Sequence, residues 1–419
     1  MARSQCDDED TVYQIMSTTQ YVVTPSKSGS GTQDMKPLRV LIISQAPSQW
    51  QSPLFRFLAR EEGLELEVAF AAPTTPLDPE IGRVPAWGEY GLRDGFNYTD
   101  LRGRRSSLIG WAMATARRRD LDVVVLPGWG FALARTVLLA TITSGKARRR
   151  TVIFTDATDF TERDTSRSHA RGVVLRSLGR AGLHFGATGN AARTHLVGNG
   201  VSEQSIAVLP YAVDNDRIAA DTAAWRLQRD ALRTNIAGVD SPDSPIFLAV
   251  VKLIQREGPE RVVRSFLSAA SEYPSARLVL VGDGPDRSGI EQLCRELGGG
   301  RVILAGYQPY AELPRFYAAT DWFVHLPELE PWGLSVNEAV ASALPLLCST
   351  RVGATQDLLE DGVNGILVGD GDLAARAGFH RALAMPRTAV GRMGAASVEI
   401  SNRVHFRRWA EALRTLANH

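Results

Sequence analysis

Residues 325–345 read HLPELEPWGLSVNEAVASALP and form the most informative stretch of the chain. Its apolar start predicts a strand, and a loop that carries Glu330 follows. A helix is predicted from about Gly333, with Glu338 just inside it and Pro345 as its stop, because proline cannot continue a helix. The free N–H groups and the dipole of such a helix start favour an anion.

Two carboxylates therefore flank a predicted anion site. Glu338 can accept hydrogen bonds from a vicinal diol, while Glu330 lies nearer the phosphate end of a ligand that has both groups. Two acids on an ordinary loop and helix are, however, more often simply solvated. The pair by itself leaves both interpretations open.

Outward from this segment, short apolar runs alternate with helical spacing, which is typical of an α/β fold with mostly parallel sheets. The predicted strands of the first half are Arg39–Ser44, Glu65–Phe70, Leu121–Leu126, Thr151–Thr155, His184–Thr188 and Ile206–Leu209. Those of the second half are Pro245–Val251, Arg277–Val281, Arg301–Leu304, Trp322–Leu326, Pro345–Cys348 and Gly365–Val368. Ser52 before Pro53 predicts a helix over Pro53–Glu62. Ligands are expected beyond the carboxyl ends of the strands, in a cleft between two domains.

Composition shifts divide the chain into five predicted parts. Gly and Ser crowd the tail, a polar segment ends in GVDSPDSP, and Val404, Trp409, Leu413 and Leu416 share one face of a last helix that should pack on the rest. The parts are a disordered tail at 1–36, a Rossmann-like domain at 37–215, a linker at 216–244, a second Rossmann-like domain at 245–385 and a helical segment at 386–419.

Composition also excludes several classes of function. The 419 residues include 47 Lys and Arg against 46 Asp and Glu, so the net charge of +1 argues against nucleic acid as a partner. Three widely spaced cysteines fit neither a disulfide framework nor a zinc site. With no apolar run of about 18 residues and no secretion signal, the expected location is the cytoplasm. The oligomeric state stays open.

The string EPWGLSVNEAVASALPLL resembles the Glu-x7-Glu signature of the retaining GT-B glycosyltransferases of family four, also called glycosyl transferases group 1. The resemblance covers roughly residues 38–385. Other stretches that carry it are Ser48–Leu54, Pro210–Asp214, Val281–Pro285, Ala305–Tyr307, Ser349–Ala354 and Asp361–Val368. It implies a GT-B fold, in which two Rossmann-like domains face each other across a cleft and the C-terminal helix packs back on the first domain.

The same resemblance implies an activity, namely transfer of a sugar from a nucleotide-sugar to an acceptor with retention at the anomeric carbon. The second domain would bind the donor, the first would present the acceptor, and no metal or other cofactor is implied. The implied donor contacts are Glu338 at the ribose, Glu330 at the sugar, Lys252 at the diphosphate, the N–H groups of Gly333 and Leu334, and Gly306 and Tyr307 at the base.

One loop departs from the family pattern. The stretch VKLIQREGPE, residues 251–260, resembles a G-R-L-x-x-x-K-G loop whose two cations hold the diphosphate, which needs positive partners most as it leaves. Lys252 keeps the first charge, whereas Glu257 occupies the lysine position and reverses the second. Arg256 is the expected substitute.

The first domain departs as well. Where many relatives have a histidine near the transferred sugar, this chain has Val125-Leu-Pro-Gly-Trp-Gly130. Trp129 is then a candidate for the acceptor side, although such a residue is more often core. Asp156 is a candidate contact for a sugar hydroxyl, and a helix cap is the alternative.

Basic runs at 102–105, 117–119 and 148–150 fit either a weak peripheral membrane contact or solvated helix faces. Three other functions stay open. Gly282-Asp-Gly284 alone would also suit a dinucleotide oxidoreductase, an epimerase or phosphorylase would share the fold, and Glu257 would suit a catalytically weak subunit that only binds. The Glu pair favours the transferase. The acceptor is a glycan, a glycolipid or a secondary metabolite, and the arginine bias suggests a bacterial source.

Overall fold

Two parallel sheets contain all thirteen strands in the part of the chain that the structure describes. The computed structural model describes residues 36–72, 80, 91–101, 105–159 and 165–418, so the predicted disordered tail lies outside the described residues except for Lys36. The first sheet consists of β1 (Leu38–Ser44), β2 (Leu64–Phe70), β3 (Asn97–Asp100), β4 (Val123–Pro127), β5 (Thr151–Thr155), β6 (His184–Ala187) and β7 (Ile206–Val208). The second consists of β8 (Ile246–Val250), β9 (Arg277–Val281), β10 (Val302–Gly306), β11 (Trp322–His325), β12 (Leu346–Ser349) and β13 (Gly365–Val368).

The twelve predicted strands are all present, with ends shifted by at most two residues. They were predictable because strands buried on both faces are nearly continuous apolar runs. The missed strand is β3, which pairs with β2 at the edge of the first sheet. Its sequence, NYTD, is polar and mostly exposed, so it has no apolar pattern to detect.

Helices follow most of the strands. They are α1 (Gln51–Arg60), α2 (Arg105–Arg117), α3 (Ala132–Ile142), α4 (Gly145–Arg149), α5 (Thr165–Arg180), α6 (Asn190–Gly198), α7 (Asn215–Arg226), α8 (Arg229–Ala237), α9 (Pro259–Ala269), α10 (Arg287–Leu297), α11 (Leu313–Ala319), α12 (Leu334–Ala341), α13 (Thr355–Leu358), α14 (Asp372–Leu383), α15 (Arg387–Ser401) and α16 (Phe406–Ala417). The predicted cap of α1 is wrong, because the helix begins at Gln51 and the Ser52 hydroxyl instead donates to the carbonyl of Leu92 at 2.7 Å.

The two sheets share one strand order over six strands, and the first has β7 in addition. The first runs β3-β2-β1-β4-β5-β6-β7 and the second β10-β9-β8-β11-β12-β13, and the order reverses between β1 and β4 and between β8 and β11. In such doubly wound sheets a crevice opens beyond the carboxyl ends of the strands at the reversal. The two Rossmann-like domains of the predicted fold class are confirmed, and these crevices are the places to examine for a site.

The predicted linker at 216–244 is largely helical. It contains most of α7 and all of α8, and both helices pack on α11 of the second domain. Arg229 and Arg233 of α8 both bind the Asp321 carboxylate, at 2.7 and 3.0 Å. The connection between the domains is therefore anchored to the second one.

The last helix, α16, returns to the first domain, as predicted. It packs on α1 and along β7, β1 and β4. Trp409, which is 3% exposed, donates its indole N–H to the carbonyl of Pro210 at 2.7 Å. A ring contact with Phe154 at 5.3 Å extends the interface.

Replacing Trp409 by alanine should lower the free energy of unfolding by about 3–5 kcal/mol, because a buried indole is lost and the Pro210 carbonyl loses its donor. Urea unfolding followed by circular dichroism measures the change. The control is Arg408→Ala, since the neighbouring Arg408 side chain is 55% exposed and should matter by less than about 0.5 kcal/mol. Equal effects of the two substitutions would contradict the docking of α16.

Candidate functional site

The crevice of the second sheet holds the charged residues that the sequence singled out. Lys252 and Arg256 lie in the loop after β8, and Glu330 lies in the loop after β11. These strands are neighbours at the reversal of strand order, so their carboxyl ends open into one crevice. The geometry therefore places both loops where a ligand of an open parallel sheet is expected.

The Val281–Pro285 turn packs against the loop that carries Lys252 and Arg256. The N–H of Leu253 donates to the carbonyl of Asp283 at 3.1 Å. A Cβ on Gly282, whose φ is +142°, would lie 1.8 Å from the Val251 carbonyl oxygen, so only glycine allows this approach. The turn acts on the site by holding the backbone on which Lys252 is mounted.

Arg256 joins the two loops. Its Nη1 donates to the carbonyl of Leu329 at 3.1 Å and lies 3.3 Å from Glu330 Oε2. The Glu330 backbone is held in turn by Arg351 and Gly353, through hydrogen bonds of 3.0 Å each. Arg256, which the sequence suggests as the substitute for the missing lysine, therefore lies in the crevice beside Glu330.

A carboxylate from the first domain meets the same two cations. Glu80 Oε2 lies 2.6 Å from Lys252 Nζ, and the Glu80 carboxylate makes two contacts of 3.1 Å with Arg256 Nε and Nη2. Hydrogen bonds from Arg256 and Lys252 lower the pKa of Glu80, so it is ionised. Sequence reasoning missed this residue, because 172 positions separate it from Lys252 and no local pattern marks it.

Glu257, which stands where the resembled loop has a lysine, points into the protein interior. It is 7% exposed, and its Oε2 accepts a hydrogen bond from the Lys252 backbone N–H at 2.6 Å. Burial, together with the charge of Glu330, raises its pKa to about 7. The loop therefore carries a carboxyl group that changes its charge near neutral pH, next to both cations.

Glu338 lies on α12, which begins directly after Gly333 in a left-handed conformation with φ +97°. The Tyr317 hydroxyl donates to Glu338 Oε2 at 2.6 Å, and the side chain is buried. Burial raises the pKa of Glu338 to about 7, against the opposing effects of Tyr317 and Arg217. The N–H groups of Gly333 and Leu334 lie at the start of this helix.

Gly306 and Tyr307 lie at the end of β10, at the edge of the sheet. They therefore share the carboxyl side of the sheet with Lys252, two strands away from β8. The carbonyl of Gly306 accepts a hydrogen bond from the Gly282 N–H at 2.8 Å, and Tyr307 is 37% exposed. The position is open to a ligand in the crevice.

A cavity of about 300 Å³ lies beyond the carboxyl ends of the first sheet. Trp129 and Asp156, both candidates from the sequence, line it together with Phe154 and Tyr211. The Tyr211 hydroxyl is 3.4 Å from Asp156 Oδ2. Burial raises the pKa of Asp156, and the charge of Glu330 adds a smaller effect in the same direction.

A histidine also reaches this cavity, although the expected position after β4 has none. His195 of α6 lines the cavity, is 1% exposed, and has its Nδ1 2.7 Å from Asp159 Oδ1. No spacing in the sequence links these two residues. Their meeting depends on the parallel arrangement of β5 and β6.

Two arginines of the basic runs have structural roles. Arg118 binds Glu67 at 2.6 Å, and Arg150 donates to the Thr115 and Ala116 carbonyls at the end of α2, at 3.0 Å each. The run at 102–104 lies outside the described residues. Within the described ranges, no helix is long and apolar enough to cross a membrane, and no group of three or more His, Cys, Asp or Glu side chains is arranged to hold a metal.

Comparison with known proteins supports a relation that is strongest in the second domain. Residues 234–388 match the family model "Glycosyl transferases group 1". The lipopolysaccharide core biosynthesis glycosyltransferase LpsE of Rhizobium meliloti is 34% identical over 149 residues, which cover 35% of this chain and 41% of that protein. A GDP-mannose-dependent phosphatidylinositol monomannoside mannosyltransferase of Mycolicibacterium smegmatis is 27% identical, over 40% of this chain and 44% of that protein. The matched region spans less than half the length of these curated relatives.

Solved structures resemble nearly the whole chain. HepE of Anabaena, solved in complex with UDP and glucose, has a TM-score of 0.64 at 16% identity and covers 91% of this chain and 100% of its own. A glycosyltransferase of Rickettsia africae has a TM-score of 0.68 at 13% identity, over 92% and 99% of the two chains. At such identities the likeness shows the fold, which is GT-B. Residues 234–388 of this chain accordingly match the group 1 family model, within a chain whose fold is GT-B.

Proposed function

We propose that this chain transfers a sugar from a nucleoside diphosphate sugar to an acceptor hydroxyl, with retention of the anomeric configuration. The observation that carries the proposal is the pair of cations at the reversal of the second sheet. Lys252 and Arg256 point into the crevice where group 1 relatives would hold the donor, and there they already bind a carboxylate, Glu80, at 2.6 and 3.1 Å. A diphosphate is an anion of the kind that two such cations recognise.

In this proposal Glu338 accepts hydrogen bonds from the ribose hydroxyls and Glu330 lies beside the donor sugar. The N–H groups of Gly333 and Leu334 donate further hydrogen bonds to the phosphates, since the start of a helix favours anions. Gly306 and Tyr307 would contact the base. HepE was solved with UDP and several relatives are named as GDP-mannose-dependent, so UDP and GDP are the first bases to test.

The acceptor would enter the first-domain cavity, with Asp156 as the contact for its hydroxyl and Trp129 as part of the wall. As the anomeric C–O bond to the phosphate breaks, the acceptor oxygen bonds to the same carbon on the same face. The acceptor proton passes to the leaving diphosphate oxygen, and Lys252 with Arg256 stabilises the charge that develops there. No step requires a metal or a further cofactor.

An inactive binding subunit was the alternative suggested by Glu257. Arg256 argues against it, because its guanidinium supplies the second positive charge that Glu257 removes from the loop, at 3.3 Å from Glu330. In this proposal the site keeps two cations, Lys252 and Arg256. Glu257 then changes the affinity for the donor and makes that affinity depend on pH.

The first test is a thermal-shift and calorimetric screen with UDP, GDP, ADP and dTDP. One of them should raise the melting temperature, and Glu338→Gln should weaken its binding at least about tenfold, since hydrogen bonds to a charged acceptor contribute about 1.5–3 kcal/mol. Glu328→Gln is the matched control, because Glu328 is an exposed acid in the loop before the motif.

Once an acceptor is found, NMR of the anomeric proton of the product should show retention of configuration. Inversion, or the absence of nucleotide binding by the folded protein, would refute the proposal.

Glu80→Gln should strengthen binding of the same nucleoside diphosphate about threefold to tenfold. The Glu80 carboxylate competes with the diphosphate for Lys252 and Arg256, and partly exposed ion pairs of this kind contribute about 1 kcal/mol or less. Calorimetric titration measures the affinity, with Glu260→Gln as control because Glu260 is an exposed acid of α9. Weaker binding by Glu80→Gln would mean that Glu80 positions the cations and does not compete.

Glu257→Gln should strengthen nucleotide binding at pH 8.5 and leave it unchanged at pH 5.5. Because burial raises the pKa of Glu257 to about 7, the wild-type side chain is neutral at the lower pH and negative at the higher one. Glutamine imitates the neutral form at both values. The ratio of the two dissociation constants is the quantity to measure, since the ligand's own titration cancels in it. An equal ratio at both pH values would contradict the role given to Glu257.

A further inference from the structure

A second polar pocket lies at the opposite, amino-terminal edge of the second sheet. Its volume is about 460 Å³, and the residues just before several strands of this sheet line it. Those residues are Pro245, Ser275, Asp321 and Pro345. The crevice that holds Lys252 opens beyond the carboxyl ends of the same strands, so the length of the strands separates the two sites.

Positive charge is in excess in this pocket. Arg226, Arg229 and Arg387 line it, against the two carboxylates of Asp243 and Asp321. The Asp321 carboxylate is already shared by Arg229, by Arg233 behind the pocket wall and by the Ile246 N–H, at 2.7, 3.0 and 2.9 Å. The Asp243 side chain is 82% exposed and meets Arg387 only at 3.9 Å, which is a weak pairing.

Arg226 differs from the other two arginines of the pocket in its partners. Its Nη2 donates to the carbonyl of Ser342 at 2.5 Å, but no carboxylate in the described ranges lies within 4.0 Å of it. Its buried Nε has no hydrogen-bond partner there. Burial and the charge of Arg229 lower the pKa of Arg226, yet an arginine stays charged at any physiological pH. A half-buried charge without a counter-charge is unfavourable, and an anion would relieve it.

The like charges lie close enough to act on one another. Arg229 lowers the pKa of Arg226, and Arg387 lowers that of Arg229. The hydroxyl-bearing side chains of Tyr273 and Ser275 line the same pocket. Guanidinium forks with neighbouring hydroxyl donors suit a tetrahedral oxyanion, which can accept several hydrogen bonds at once.

The pocket also lies where both chain connections between the domains pass. Arg226 ends α7, which leaves the first domain, and Arg387 begins α15, which leads back to it through α16. At their other ends the same two helices are already joined, since Asn215 of α7 donates to the carbonyls of Ser401 and Val404 at 3.1 and 3.0 Å. An anion between Arg226 and Arg387 would join the pair at the second end.

We propose that this pocket is a binding site for a phosphate group, free or as a monoester of a small molecule, held by Arg226, Arg229 and Arg387. The apolar wall formed by Leu344, Met385 and Val390 leaves room for the organic part of an ester. The bound phosphate bridges α7 and α15 and so restrains the two connections on which movement between the domains depends. This inference is independent of the proposed transferase activity.

The experiment is calorimetric titration of the full-length protein with inorganic phosphate and, separately, with glucose 6-phosphate, against sodium chloride of equal ionic strength. Arg226→Gln should weaken binding at least tenfold and Arg387→Gln severalfold. Arg408→Gln should leave it unchanged, because the exposed Arg408 of α16 does not line the pocket. Tighter binding of the sugar phosphate would identify an ester as the ligand, and equal binding would identify free phosphate.

Two results would overturn the proposal. One is the absence of any binding by a folded wild-type protein up to ten millimolar phosphate, a concentration on the order of the weakest affinity that is useful to a cell. The other is binding that Lys252→Ala abolishes and Arg226→Gln does not, which would place the phosphate in the donor crevice. If Arg226→Gln does not fold, Arg387→Gln decides alone, since the Arg387 side chain is 52% exposed and its substitution should leave the fold intact.

Discussion

The mutual attraction of two cations and three carboxylates in one crevice is the interaction on which the candidate site depends. Lys252 and Arg256 extend from a single loop, and without anions they would repel each other in a partly buried place. Glu80, Glu257 and Glu330 supply those anions from two domains and two loops. In the proposed function a diphosphate would have to replace the carboxylates that Lys252 and Arg256 now bind, so donor affinity would be a difference between two sets of ion pairs.

That balance explains how a site can keep its role after a charge reversal in its most recognisable loop. A lysine at position 257 would leave three cations against two carboxylates, a net positive charge that favours an anionic ligand. With Glu257 the unliganded crevice has two cations and up to three carboxylates, so its charges largely cancel, and the balance is even when Glu257 is protonated. The cost falls on the ligand, which gains less from binding, and part of that cost disappears when Glu257 takes up a proton near pH 7.

The parts of the site that were predictable are local in sequence. Glu330 and Glu338 belong to one strand-loop-helix unit, so their spacing alone indicates that both reach the same crevice, and Lys252 follows a strand that is recognisable as an apolar run. Glu80, His195 and Arg226 were not predictable as site residues. Each acquires its neighbours only when distant strands or domains come together, and no spacing or composition near them records it. The same reason hid β3, whose pairing with β2 does not depend on apolar side chains.

Contacts across the cleft connect the loop that carries Glu330 to the cavity of the first domain. Trp332, two residues after Glu330, lies edge-on to Tyr211 at 6.2 Å and donates its indole N–H to Asn337 at 2.8 Å. Asn337 donates to the Tyr211 carbonyl at 2.9 Å, and the Tyr211 hydroxyl reaches Asp156. Since packed interiors transmit strain, a ligand that shifts the Glu330 loop in the proposed function would also displace Tyr211 in the wall of the first-domain cavity. Packing would in that way couple the two proposed binding sites.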